Sequence, residues 1–135
     1  MLGLIVFEDG VIYGGSFIQG SDKGMSYTLS NSNLVVSRPS STYGTLLTNG
    51  MLNLSNYNKI TIVVEKLENI GAGKLCVGLT KDTTAKDNTF VNKIDITTTG
   101  THEITVSNID ESYYFVMGMS GATSSSVTIS KIIVE

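Results

Sequence analysis

Apolar and polar residues alternate with a period of two through most of this chain, most clearly over Tyr57 to Leu67. Ile60, Ile62 and Val64 fall on one side and Thr61, Val63 and Glu65 on the other, between Asn56 and the breakers Asn69, Gly71 and Gly73. This pattern predicts a central strand, covered on one face and half exposed on the other. Such a strand cannot bury its face alone, so other strands must supply both hydrogen-bond partners and an opposing apolar layer. The expected partner is Lys74 to Thr80, where Leu75, Val77 and Leu79 alternate with Lys74, Cys76, Gly78 and Thr80.

Further strands are predicted at Leu4 to Phe7, Val11 to Tyr13, Tyr43 to Leu47, Met51 to Leu54, Phe90 to Ile96, Glu103 to Val106, Tyr113 to Met119 and Val127 to Val134. Met25 to Leu29 and Leu34 to Ser37 read as a hairpin across Ser30 to Asn33, and Asn49-Gly50 is the strongest two-residue turn signal. Phe17 and Ile18 fall in a loop-like stretch. Pro39 places a sheet edge or a loop at Arg38 to Ser41, because proline cannot donate to a ladder. Lys81 to Asn88 is polar and aperiodic, hence a solvent-exposed loop. In the last strand the apolar phase slips by one residue, from Val127 and Ile129 to Ile132 and Val134, which predicts a β-bulge near Lys131. No window carries helical periodicity. About ten short strands with glycine and Asn/Ser turns predict an all-β antiparallel sandwich or barrel, one domain over residues 1–135, in which the first and last strands could pair.

Composition narrows the function classes. Only 16% of residues are charged, against a typical ~25%, so solubility rests on Ser, Thr and Asn. A net charge of -3 without a basic cluster is the wrong sign for binding duplex phosphates, which argues against a nucleic-acid partner. The apolar start MLGLIVF lacks a basic flank and ends at Glu8-Asp9-Gly10, too short for a signal peptide or a membrane span, so a first strand is expected instead. A single cysteine, Cys76, excludes an intrachain disulfide and a cysteine-rich zinc site.

Candidate chemistry is sparse. His102 is the one histidine, and nothing near it in sequence resembles a nucleophilic triad; it reads as an exposed strand-end residue. Cys76 sits inside a strand and reads as buried and inert. The acidic residues fall mostly in turns and at strand ends, where solvation rather than glycoside hydrolysis accounts for them. A structural calcium is the one cofactor to consider: Asp9, Asp22 and Glu135 are oxygen donors that meet if the terminal strands pair. There is no Trp, so a sugar ring would have to stack on tyrosine. Tyr13, Phe17, Tyr27, Tyr43, Tyr57, Tyr113 and Tyr114 are the candidate platforms, and of Tyr113 and Tyr114 one must point away from the core. The expected ligand-binding set is Tyr13, Tyr27, Tyr43 and Tyr114 with Arg38.

Leu52-Asn53-Leu54-Ser55-Asn56-Tyr57-Asn58-Lys59-Ile60-Thr61-Ile62 resembles a segment shared by jelly-roll domains of the galactose-binding-like class. Gly100 to Val106, Ser112 to Val116 and Val127 to Val134 are similar to the C-terminal half of such domains, and Val11 to Gly15 to the opening of their phage-type versions. The resemblance implies a jelly-roll sandwich in which Leu54, Tyr57 and Ile60 pack the core. It implies a non-enzymatic structural or attachment module of a phage or prophage tail apparatus, facing cell-surface carbohydrate or other tail proteins, in a virion or outside the cell, as a homo-oligomer. The alternative is a secreted bacterial carbohydrate-binding module, and a small hydrolase ranks third.

Overall fold

The computed structural model describes residues 3–120 and 123–135, and of Ser120 only the backbone. Among these residues lie thirteen strands, three short 3-10 turns and no α-helix. β1 (Leu4–Glu8), β2 (Val11–Ile12), β3 (Phe17–Gln19), β4 (Ser26–Ser30), β5 (Asn33–Arg38), β6 (Gly44–Thr48) and β7 (Leu52–Asn53) come first. They are followed by β8 (Lys59–Glu68), β9 (Lys74–Thr80), β10 (Val91–Ile96), β11 (Gly100–Thr105), β12 (Ser112–Ser120) and β13 (Ser125–Val134). All pairs are antiparallel, and the strands make two sheets face to face: the sandwich expected from the alternation.

The first sheet runs β11-β8-β13-β1-β2, with β4 and β5 attached through β5 to the first half of β13. The second runs β10-β9-β12-β6-β3, with β7 also on β12. Between them lies one apolar core, to which Ile60, Ile62 and Val64 contribute from β8, Leu75, Val77 and Leu79 from β9, and Phe115, Met117 and Met119 from β12. Leu54 is buried in it and Tyr57 packs against it.

Several expectations hold in detail. β8 is central, between β11 and β13, with Thr61 buried, Val63 half-buried and Glu65 exposed on its second face. β1 pairs with β13, and β4 and β5 form a hairpin across Asn31-Ser32. The register of β13 against β8 shifts between Ile129 and Lys131, where Ser130 and Lys131 are both half-buried, so the bulge sits where the phase slips.

Others are overturned. β9 does not pair with β8; it lies between β10 and β12 in the opposite sheet. Its outward Cys76 is as buried as its inward Leu75, Val77 and Leu79, and a strand covered on both faces takes an interior place in its own sheet. The connection makes a sharp corner instead of a hairpin, with Asn69 and Gly71 at positive φ and the Gly73 N–H bonded to Ile70 O at 2.8 Å. Asn49-Gly50 is likewise no hairpin turn: β6 and β7 both run along β12, and these residues form a jog between them. Phe17 and Ile18 belong to β3, a three-residue edge strand too short to show alternation.

Candidate ligand-binding cleft

β9 ends at Thr80, and residues 81–90 turn back over the outer face of the second sheet; Lys81 to Asn88 is mostly exposed, as expected, but Ala85 and Phe90 turn inward onto the sheet. Ala85 and Phe90 pack on an apolar patch made by Leu47, Cys76, Val116, Ile18 and Tyr114. Three glycines make room for this strap. A Cβ at Gly20 would lie 2.6 Å from Thr83 O, one at Gly78 would lie 2.9 Å from Phe90 Cβ, and one at Gly118 would collide with Asp87 Oδ1 and lie 2.8 Å from the Tyr43 hydroxyl. The Tyr43 hydroxyl donates to Asp87 Oδ1 and accepts the Asp87 N–H at 2.9 Å. Burial, then the hydrogen bond to Asp87, raise the Tyr43 pKa well above its ordinary value. Lys86 Nζ adds an exposed ion pair to Asp22 at 3.1 Å.

Between the strap and the edge of the sandwich lies a cleft of about 540 Å³, lined on the strap side by Lys81, Thr84, Asn88 and Thr89 and on the sheet side by Thr80 and Tyr113. Its walls are held by short-range bonds. Asp82 accepts from the Thr84 N–H at 2.8 Å and hydroxyl at 2.7 Å, and the Thr89 hydroxyl donates to Lys86 O at 2.8 Å. Lys81 Nζ sits 5.0 Å from the Tyr113 ring centroid and 2.6 Å from Glu111 Oε2, while the Tyr113 hydroxyl donates to Glu111 Oε1 at 3.2 Å. Lys81 holds the Glu111 carboxyl below its usual range, and the Thr84 donors do the same for Asp82. The cleft therefore offers a half-buried aromatic ring framed by fixed polar groups, with both neighbouring carboxyls ionised.

A second hollow, of about 320 Å³, lies beside the β10 bulge. Its Asn92 amide is engaged, donating to Thr105 O at 2.9 Å and Asn108 Oδ1 at 3.2 Å.

Of the expected binding set, Tyr43 and Tyr114 come to the same outer face, one latching the strap and the other packed in the patch beside it. Tyr13 and Tyr27, like Tyr113, pack against the main core, but neither lines the cleft; Tyr27 meets Phe17 edge-on at 5.4 Å with its hydroxyl accepting the Phe17 N–H. Arg38 ends β5, where its Nη2 donates to Ser41 O at 2.6 Å. The three calcium candidates are not brought together. Asp9 sits in the β1–β2 turn, Asp22 pairs with Lys86, and Glu135 accepts from the Thr61 hydroxyl at 3.1 Å. Among the described residues no three His, Cys, Asp or Glu side chains form a group that could hold a metal ion. His102 lies within β11, half-buried, its Nε2 2.8 Å from Thr98 O. Cys76 is buried under the strap, and burial, with the charges of Asp87 and Asp95, pushes its thiol up to about 12. Sequence reasoning reached Tyr113 as one platform among several but not Lys81, Asn88 or Thr89. The available signal was an aperiodic polar segment starting at the very end of a strand.

Neither a family model nor a curated protein matches this sequence. Solved structures do. A variant of a family 29 carbohydrate-binding module, made to probe ligand recognition, superposes with a TM-score of 0.55 at 11% identity, over 100% of this chain and 92% of that one. The chain shares their fold. A low-affinity xylan-binding module of family 86 from Roseburia intestinalis gives 0.54 at 13% identity, over 90% and 96% of the two chains. Another family 29 variant, complexed with cellulohexaose, gives 0.52 at 9% identity, over 98% and 89%. The all-β sandwich implied by the galactose-binding-like resemblance is thus the architecture found.

Proposed function

We propose that this chain is a non-catalytic carbohydrate-binding module whose ligand, a short stretch of glycan, lies in the cleft between the strap and Tyr113. The observation that carries the reading is the Tyr113 ring, fixed through Glu111 and Lys81 and bordered by hydroxyl and amide groups. A pyranose presents an apolar C–H face and a rim of hydroxyls, and this pairing of a ring with a rigid polar border matches both. The carboxyls support binding over hydrolysis. A glycosidase needs one acid held protonated by its surroundings, whereas Asp82 and Glu111 are both held ionised. Of the two readings left by the sequence, carbohydrate binding is favoured over a tail-apparatus role, because the proteins sharing the fold are described as carbohydrate-binding modules. Encounter with polysaccharide outside the cell follows from that reading.

Affinity electrophoresis against xylan, glucomannan and hydroxyethyl cellulose, followed by calorimetry with the matching oligosaccharide, tests the proposal. The wild type is expected to be retarded by at least one polymer, and Tyr113→Ala to bind it at least about tenfold more weakly, equivalent to about 1.4 kcal/mol. Retention of full affinity by Tyr113→Ala would place the site elsewhere, and no retardation by any glycan would overturn the reading.

A further inference from the structure

The strap serves two surfaces at once: Lys81, Thr84 and Asn88 face the cleft, while Ala85 and Phe90 cover the apolar patch over Cys76. We propose that residues 81–90 form a latched segment that opens locally, that its closed state shapes the cleft, and that Tyr43, which does not line the cleft, is the positioning residue holding it closed. The ligand-binding half of this inference rests on the carbohydrate reading; the latch half does not.

The strap is unequally anchored along its length. Residues 81–84 are exposed, tied to Thr80 by two bonds between its hydroxyl and the Asp82 backbone and to Glu111 by the exposed Lys81 pair, so the buried anchors of the strap on the sheet are two apolar side chains and the paired bonds between Tyr43 and Asp87. The Lys86–Asp22 pair is solvent-exposed and contributes little. A segment with few buried apolar contacts opens at a lower free energy than the whole domain unfolds. Gly118 has the same logic in negative form: it lacks a Cβ where one would push Asp87 off its seat. Because ligand and latch both favour the closed strap, each must strengthen the other.

Cys76 is the chain's one thiol and lies beneath the strap, so its modification reports opening. The test is the rate of Cys76 labelling by a small thiol reagent, followed by mass spectrometry, beside urea unfolding of the same samples. Tyr43→Phe keeps the ring and removes the hydroxyl; it is expected to speed labelling about tenfold, with a loss of unfolding stability no larger than that fold-change implies, because the bond is absent from the opened and the unfolded chain alike. Gly118→Ala should act in the same direction through Asp87. Labelling unchanged in both variants, or wild-type labelling no faster than the global unfolding equilibrium allows, overturns the latch. A bound oligosaccharide is expected to slow labelling of the wild type, and Tyr43→Phe to weaken that oligosaccharide's binding. A ligand that binds yet leaves labelling unchanged overturns the coupling. Absence of any glycan binding refutes the carbohydrate reading, and ligand-free labelling still decides the latch.

Discussion

Thr48 shows how one side chain can repair a sheet. Where β6 gives way to β7, the jog at Asn49 and Gly50 removes the backbone acceptor that Phe115 would otherwise meet on β12. The Thr48 hydroxyl accepts the Phe115 N–H at 3.2 Å and donates to Gly50 O at 2.9 Å, at a fully buried position. Thr48→Val preserves shape and leaves that N–H unpaired, so a loss of about 1–3 kcal/mol is expected in urea unfolding. A loss under about 0.5 kcal/mol would mean that water or a backbone shift replaces the bond. Cys76 adds a pH dependence. Its thiol has an ordinary pKa of 9.0 and a folded one of about 12, so between these values the unfolded chain holds fewer protons than the native one. Stability from this group is intact below about pH 9 and falls as pH rises toward 12. Wild type should therefore lose more of its urea midpoint between about pH 8 and about pH 10.5 than Cys76→Ala does, and parallel losses would contradict the assignment.

At the scale of elements, the β4–β5 hairpin turns through Asn31 and Ser32 with φ of 52° and 65°. Two positive φ values in a two-residue loop are what the right-handed twist of flanking strands favours, and glycine adopts them without the penalty that serine carries. Ser32→Gly should stabilise the domain by up to about 1 kcal/mol, read as a raised urea midpoint; an unchanged or lowered midpoint would show that unfolded-chain entropy cancels the gain. This hairpin was legible from sequence because its strands, its turn residues and its pairing are all local. The bulge in β13 was legible for a similar reason, since a phase slip is visible within one strand. The partner of β9 was not. Whether two successive strands close a hairpin or cross the core depends on what covers their second faces, and the cover over Cys76 is a polar segment whose composition reads as solvent-exposed. The same cause hid the cleft: Lys81, Asn88 and Thr89 acquire a shared surface only once the strap is seated against Gly78 and Gly118. Asn49-Gly50 misled in the opposite way, a strong local turn signal overruled by the continuity of β12 across the jog.

For the molecule as a whole, β13 decides when the structure can close. Its first half pairs with β5, its second half with β1, and its other edge with β8, so seven strands become one sheet only through it. Val127, Ile129, Ile132 and Val134 are all fully buried, and the bulge between Ile129 and Lys131 lets both halves face the same core. Otherwise β1 has only the two-residue β2 and β5 only its hairpin partner β4, and both lie far from β13 in sequence. Loop-closure entropy must be met before these pairings give anything back, so folding is expected on the millisecond-to-second scale, in one cooperative step. Tyrosine fluorescence in stopped flow would follow it, as the chain has no Trp. Ile132→Val removes one buried methyl and should cost about 0.5–1.5 kcal/mol. If β13 docks in the transition state, that loss appears mainly as slower folding; if the second sheet and the β4–β5 hairpin form the nucleus and β13 joins later, it appears as faster unfolding. The topology favours the first outcome, because without β13 the inward face of β8 has only β11 beside it and no sheet to hold it over the core.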